Sequence, residues 1–194
     1  MIPKITARVV MFLLRNTDRL GYNINQIAKL NKISVGSAFK ILKELEKDRL
    51  IIKNEISNAS HYTLNFDNPE TTKLCELLLL AERRTLKGYA KIYADEVIKF
   101  KDAEMIVIFG SVLRGKEFND VDVLFITNQV KKVNHFCLEI SKVKTKPVVP
   151  LIMKPEDLIK ALKLKKEAII NLMKEGIVLK GEAVFLEVIK NVNS

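Results

Sequence analysis

Ile106-Val107-Ile108-Phe109-Gly110-Ser111 and, after a short basic turn, Asn119-Asp120-Val121-Asp122-Val123-Leu124-Phe125-Ile126 are the stretch on which the fold of this chain depends. Both runs are apolar and rich in β-branched residues, the composition of buried strands, and Arg114, Gly115 and Lys116 lie in the turn between them. Asp120 and Asp122 stand two apart, so on a strand both carboxylates project from one face. Two acids at the end of an apolar strand are costly to desolvate unless a cation or donors satisfy them. Gly110-Ser111 offers a backbone that a phosphate can approach closely, a hydroxyl, and the expected free N–H groups of a helix start. The stretch reads as a holder for a metal-bound polyphosphate.

The rest of the composition agrees with such a ligand. The chain has 194 residues, 48% of them apolar, enough for two small domains with real cores. Its net charge of +10 favours polyanionic partners, nucleotides or nucleic acid, over neutral ones. The longest apolar runs, Val9 to Leu14 and Leu77 to Ala81, are too short to span a membrane, and no signal-peptide pattern is read. Cys75 and Cys137 read as buried free thiols of a reducing, cytoplasmic setting, and His61 and His135 lack ligand-spaced partners.

Gly-Ser, an Arg-Gly in the turn and Asp-x-Asp on the next strand resemble the nucleotidyltransferase superfamily of the DNA polymerase β type, closest to its minimal members. The resemblance covers roughly residues 85 to 190 and includes the closing segment Glu175-Gly-Ile-Val-Leu-Lys-Gly181. It implies that Gly110 and Ser111 grip the phosphates of a nucleoside triphosphate, with Arg114 and Lys116 beside them. It also implies that Asp120 and Asp122 are the catalytic acids and the ligands of Mg²⁺ or Mn²⁺. In the family a third acid on a neighbouring strand completes the site and helps activate the attacking hydroxyl. That strand is expected at Pro147 to Met153, and it carries no acid. Val148 and Pro150 are read as occupying the positions that would face the metal pair. Glu156 and Asp157 lie just beyond, where they suit a helix N-terminus or rescue the missing acid. The turn from Ser111 to Asp120, with eight intervening residues, is shorter than usual for the family.

The N-terminal third has a different pattern. Ile5, Val9, Val10, Leu13 and Leu14 form a helical stripe after Pro3. Asn23 or Asn25 can cap a short second helix, and Ser34 a third whose inner face is Val35, Ala38, Leu42 and Leu45. Leu50 to Lys53 and Ser60 to Leu64 read as two strands around a tip, Asn54 to Ala59. Ile-Ala-Lys before the turn, Leu-Lys-Glu-Leu-Glu-Lys closing the third helix and Leu-Ile-Ile entering the hairpin resemble the winged helix-turn-helix family. That resemblance implies binding of double-stranded DNA through the third helix. Ser37, Phe39, Lys40 and Lys43 are its outward positions, with Lys53 on the wing. Residues 1–68 hold eleven Lys/Arg against six Asp/Glu, so this part is itself basic.

The expected architecture is therefore α+β: a winged helix-turn-helix over 1–68, a connecting helix over 69–84, and a nucleotidyltransferase-type mixed sheet packed with helices over 85–194. On the connecting helix Leu74, Leu77, Leu78 and Ala81 suit an interdomain face or, near 70–81, a homodimer seam. Lysines outnumber acids ten to three over 131–166, a run expected beside the phosphate site. Two functions stand open. One is a DNA-binding transcriptional regulator that binds Mg-nucleoside triphosphate with weak or lost transfer. The other is an active transferase moving a nucleoside monophosphate to a hydroxyl, possibly paired with a small helical protein as minimal nucleotidyltransferases often are.

Overall fold

In the computed structural model, which describes residues 2–16, 21–56, 58–115 and 117–193, the chain divides into two units, Met1–Leu78 and Leu79–Ser194. The first contains α1 (Lys4–Arg15), β1 (Tyr22–Asn23), α2 (Ile24–Leu30), α3 (Val35–Lys47), β2 (Ile51–Ile56) and β3 (Ala59–Leu64). Val9, Val10, Leu13 and Leu14 of α1 are buried, and so are Ala38, Leu42 and Leu45 of α3, whereas Ile5 and Val35, read on the same faces, stand in the first turns of their helices and are exposed. Each buried Val or Leu among them contributes roughly 1.5–3 kcal/mol on burial.

Asn23 is the cap of α2. Gln26 N donates to Asn23 Oδ1 at 3.0 Å and Asn23 N donates to Gln26 Oε1 at 2.9 Å, a reciprocal box that satisfies two orphan donors. Ser34 caps α3 by accepting from Ser37 N at 3.1 Å.

The hairpin departs from its sequence reading in two ways. Its strands run on to Ile56 and from Ala59, so most of the Asn/Ser-rich segment expected as a tip is paired, with Asn54 opposite His61 and Glu55 opposite Ser60. Tyr22 and Asn23, just before α2, add a third strand by pairing with Tyr62 and His61. The sheet order is β1-β3-β2.

Helix α4 (Pro69–Arg83) runs across the boundary between the units. Its buried positions are Thr71, Cys75 and Leu79, four apart, whereas Leu77 and Ala81 are exposed. Of the apolar residues expected on this helix, Leu77 and Ala81 are thus exposed, while Leu74 and Leu78 are half-buried.

The second unit continues with α5 (Gly88–Val97), β4 (Met105–Phe109), β5 (Val121–Ile126), α6 (Val130–Val143), β6 (Val148–Met153), α7 (Pro155–Lys163), α8 (Glu167–Glu175), β7 (Ile177–Lys180) and α9 (Glu182–Asn193). The sheet order is β6-β5-β4-β7, with β4 antiparallel to both neighbours and β6 parallel to β5, a mixed sheet in an α+β unit. Strand β6 lies at an edge, where Pro147 and Pro150 are tolerated.

Alternation on the central strands makes two buried faces. Ile106, Ile108, Val121, Val123 and Phe125 pack with Tyr93 and Val97 of α5 and Val133, Cys137 and Ile140 of α6. Met105, Val107, Leu124 and Ile126 fill the other face and are fully buried, and α9 packs on β4 and β7. Asp122 belongs to this second face by parity and stands at its open end. Among the described residues no helix is long and apolar enough to cross a membrane.

Candidate functional site

The hairpin β4–β5 fixes the site. Phe109 pairs with Asp122, so the last residue of one strand and the second of the next are locked side by side. Asp120 lies just before β5, in the turn, and Asp122 within the strand.

Gly110 follows Phe109 with φ +85° and ψ −157°, a conformation open in practice only to glycine. A Cβ at this position would fall on Asp122 Oδ2, with Asp122 Cγ at 3.3 Å. The missing side chain therefore serves twice: it allows the backbone turn, and it leaves the space into which the Asp122 carboxylate folds. The backbone expected to grip phosphate and the carboxylate expected to hold metal are in direct contact.

Burial pushes the Asp122 carboxyl above its ordinary range, and the neighbouring Asp120 charge adds to the shift. An acid whose ionisation is disfavoured by desolvation and a like charge is poised to receive a cation.

The helix start expected at Ser111 is a single 3-10 turn, Ser111–Arg114. Gly115, with φ +63°, closes the turn in the left-handed region. Arg114 lies on this turn with its Nη2 3.0 Å from Glu175 Oε2, both side chains well exposed at 65% and 63%. Lys116 lies outside the described residues.

Glu175 went unnoticed as a site residue in the sequence because it belongs to the last turn of a distant helix. The fold brings it in because Ile177 pairs with Ile108, which places the end of α8 beside the Gly110 loop. Its signal was the Glu-Gly dipeptide that stops the helix before an apolar strand.

The register of β6 corrects two expectations. Asp122 pairs with Val149, so Val149, 43% exposed, shares its face and is the position a third carboxylate would take. Val148 instead points into the core with Val121 and Val123, and Pro150 pairs with Val123 on that same side. Glu156 and Asp157 are excluded as substitutes by the parallel pairing. They follow Met153, which is in register with Ile126, roughly 15 Å along the strand from the Asp122 end. They serve the N-terminus of α7.

The lysine run 131–166 is partly neutralised where it stands. Lys132 pairs with Asp102 at 2.7 Å, Lys142 with Glu139 at 2.7 Å and Lys144 with Glu96 at 3.1 Å.

Asp120 and Asp122 are the acids that could hold a divalent cation, and among the described residues no group of three or more His, Cys, Asp or Glu is arranged to do so. Two carboxylates suit Mg²⁺, which takes few protein ligands and completes its shell with water and phosphate oxygens.

In the first unit Ser37, Phe39, Lys40 and Lys43 are all exposed on α3, Phe39 at 55%. Lys53 on β2 is held by Glu55 at 2.8 Å, and Ser60 Oγ donates to the same carboxylate. The hydrogen bond to Glu55 raises the Lys53 ammonium above its ordinary range, and that from Lys53 lowers Glu55. This wing cation is thereby committed to a local partner.

Residues 91–179 match the family model described as nucleotidyltransferase domain. The match lies within the second unit, which is similar to a nucleotidyltransferase domain over those residues. The match spans α5 through β7 and so takes in Gly110, Ser111, Asp120, Asp122 and Glu175. Comparison with curated proteins and with solved structures gives no match.

Proposed function

We propose that this chain is a DNA-binding regulator whose nucleotidyltransferase domain binds a Mg-nucleoside triphosphate. The observation that carries the nucleotide part is the contact of the Asp122 carboxylate with the Gly110 backbone, which joins a cation site to a phosphate site. Asp120 and Asp122 would hold the metal, Gly110 and Ser111 the phosphates, and Arg114 an outer phosphate oxygen. Bound there, Mg²⁺ supplies the charge that neutralises the triphosphate. The test is calorimetric titration of ATP, CTP, GTP and UTP, each with Mg²⁺, into the whole protein. Absence of heat from all four would sink the reading.

The balance between binding and transfer turns on Val149. Transfer would join an acceptor hydroxyl oxygen to the α-phosphorus, release pyrophosphate and require a group to take the hydroxyl proton. With valine beside Asp122, the sheet offers no third carboxylate for that proton, which favours a domain that senses nucleotide over one that turns it over rapidly. Incubation with α-labelled triphosphate decides this: label on protein, nucleic acid or added acceptors would establish the transferase reading in its place.

Arg114 must leave Glu175 to reach a phosphate. Exposed ion pairs of this kind contribute about 0–1 kcal/mol. Glu175→Gln is therefore expected to tighten Mg-nucleotide binding by up to about fivefold, read in the same calorimeter. Weaker binding in that variant would show that Glu175 aids the site.

The DNA part rests on the element order of the first unit and on the exposed cations of α3, supported by its basic balance. Each lysine that meets a phosphate contributes about 0.9 to the slope of log affinity against log salt. The double variant Lys40→Ala, Lys43→Ala is expected to bind duplex DNA about tenfold or more weakly, with a slope shallower by about 2. Unchanged slope and affinity in gel retardation across a salt series would remove α3 from the interface.

A further inference from the structure

The nucleotide reading explains the carboxylates and the glycine but leaves unused an exposed aromatic ring beside them. Tyr89, in the first turn of α5, is 56% exposed. Its ring stands edge-on to Phe118 with centroids 5.5 Å apart, and Phe118 stands edge-on to Tyr93 at 6.4 Å. Tyr93 is buried, and its hydroxyl donates to Lys146 O and accepts from Lys146 N, both at 2.8 Å. The row of rings is thus anchored to the backbone at the start of β6, where Val121 N donates to Pro147 O at 2.9 Å.

This row has a defined address. Phe118 is two residues before Asp120, and α5 packs on the 3-10 turn that follows Gly110. A ring held against a second ring, more than half exposed, and carried by a helix that packs on the turn after Gly110 is suited to a flat π-system attached to phosphates. Lys87 and Lys91, both exposed, flank Tyr89 in sequence and add the positive charge that such platforms carry. Tyr89 is not among the buried positions of α5, which are Ala90, Tyr93, Ala94 and Val97.

We propose that Tyr89, backed by Phe118, is a stacking platform for a nucleobase at the mouth of the phosphate loop. The proposal rests on the phosphate reading of Gly110 and Ser111, and the base comes either from the bound nucleotide or from a single-stranded nucleic acid entering the site. Stacking uses the face of the ring, so the Tyr89 hydroxyl is dispensable.

The chain contains no tryptophan, so Tyr89→Trp installs a single indole reporter at the platform. The fluorescence of that variant is followed during titration with Mg-nucleoside triphosphate, with Mg-tripolyphosphate, and with a short single-stranded oligonucleotide. Quenching by the triphosphate and none by tripolyphosphate is expected. Quenching by the oligonucleotide alone assigns the base to nucleic acid. In parallel calorimetry Tyr89→Ala is expected to weaken the base-bearing ligand by about 5- to 100-fold and tripolyphosphate not at all, while Tyr89→Phe retains wild-type affinity. Because Tyr89 is exposed, neither variant threatens the fold. Nucleotide binding with unchanged affinity in Tyr89→Ala and no quenching by either base-bearing ligand would overturn the platform and leave the phosphate site standing. Failure of both triphosphate and tripolyphosphate to bind would overturn the phosphate site, and the oligonucleotide arm then decides the platform on its own.

Discussion

Gly110→Ala is expected to destabilise the protein by about 2–6 kcal/mol and to weaken Mg-nucleotide binding at least ~100-fold. Two independent terms add. A non-glycine residue at φ +85° and ψ −157° carries backbone strain of about 1–3 kcal/mol. The new methyl also lands on the Asp122 carboxylate, and overpacking of this kind costs about 1–3 kcal/mol. Asp122 has little freedom to retreat, because its backbone is pinned opposite Phe109 on one side and Val149 on the other. The second term disappears when the carboxylate is removed, so Gly110→Ala combined with Asp122→Ala should lose less stability than the two single changes summed. Denaturant midpoints of the four proteins measure this cycle. Additivity would mean that the carboxylate and the glycine do not share the space. A fully stable Gly110→Ala would show that the loop adopts another conformation in solution.

How much of this site could be read before the fold was in hand depended on whether the signal was local. Gly110, Ser111 and the spacing of Asp120 and Asp122 are local signals; the hairpin β4–β5 sets Asp122 opposite Phe109, next to Gly110, while Asp120 falls just outside the strand expected to carry both acids. The caps at Asn23 and Ser34 are local in the same sense. The identity of the residue beside Asp122 is not. It depends on whether β6 runs parallel or antiparallel to β5 and on the register between them, and neither is written in the strand's own alternation. A one-residue slip in that inference put Val148 and Pro150 at the site, where the fold has Val149. Glu175 was hidden for a related reason, since only the pairing of β7 with β4 brings the end of α8 to the loop. The helix start expected at Ser111 is a four-residue 3-10 turn, because Gly115 in the left-handed region stops it. In the hairpin of the first unit, Asn54, Glu55, Ile56 and Ala59, read as part of the tip, are nonetheless drawn into β2 and β3 by cross-strand pairing.

Asp122→Asn should separate the two roles of this residue, weakening Mg-nucleotide binding at least ~100-fold while making the ligand-free protein more stable. Loss of an outer partner of a metal ligand already lowers metal affinity about 10–100-fold, and here a carboxylate proposed to bind the metal itself is replaced by an amide of the same size. The gain in stability follows from the direction of the pKa shift. Burial, with the Asp120 charge beside it, holds the Asp122 carboxyl above its unfolded value, so the folded state keeps the proton to higher pH than the unfolded state does. Wild-type stability is therefore free of this penalty in acid, where both states are protonated. It loses ground as pH rises through the unfolded value and on through the raised folded value. Asparagine carries no such charge, so the variant's advantage should be absent at the acidic end and established at neutral pH. Thermal unfolding without metal across that range measures it, and calorimetry at neutral pH measures the nucleotide. With Mg-nucleotide present the order should reverse, because a ligand that binds the folded state stabilises only the protein that holds it. Equal nucleotide affinity in the two proteins would remove Asp122 from the site, and a variant less stable than wild type at neutral pH would show that the ionised carboxylate is satisfied by the fold.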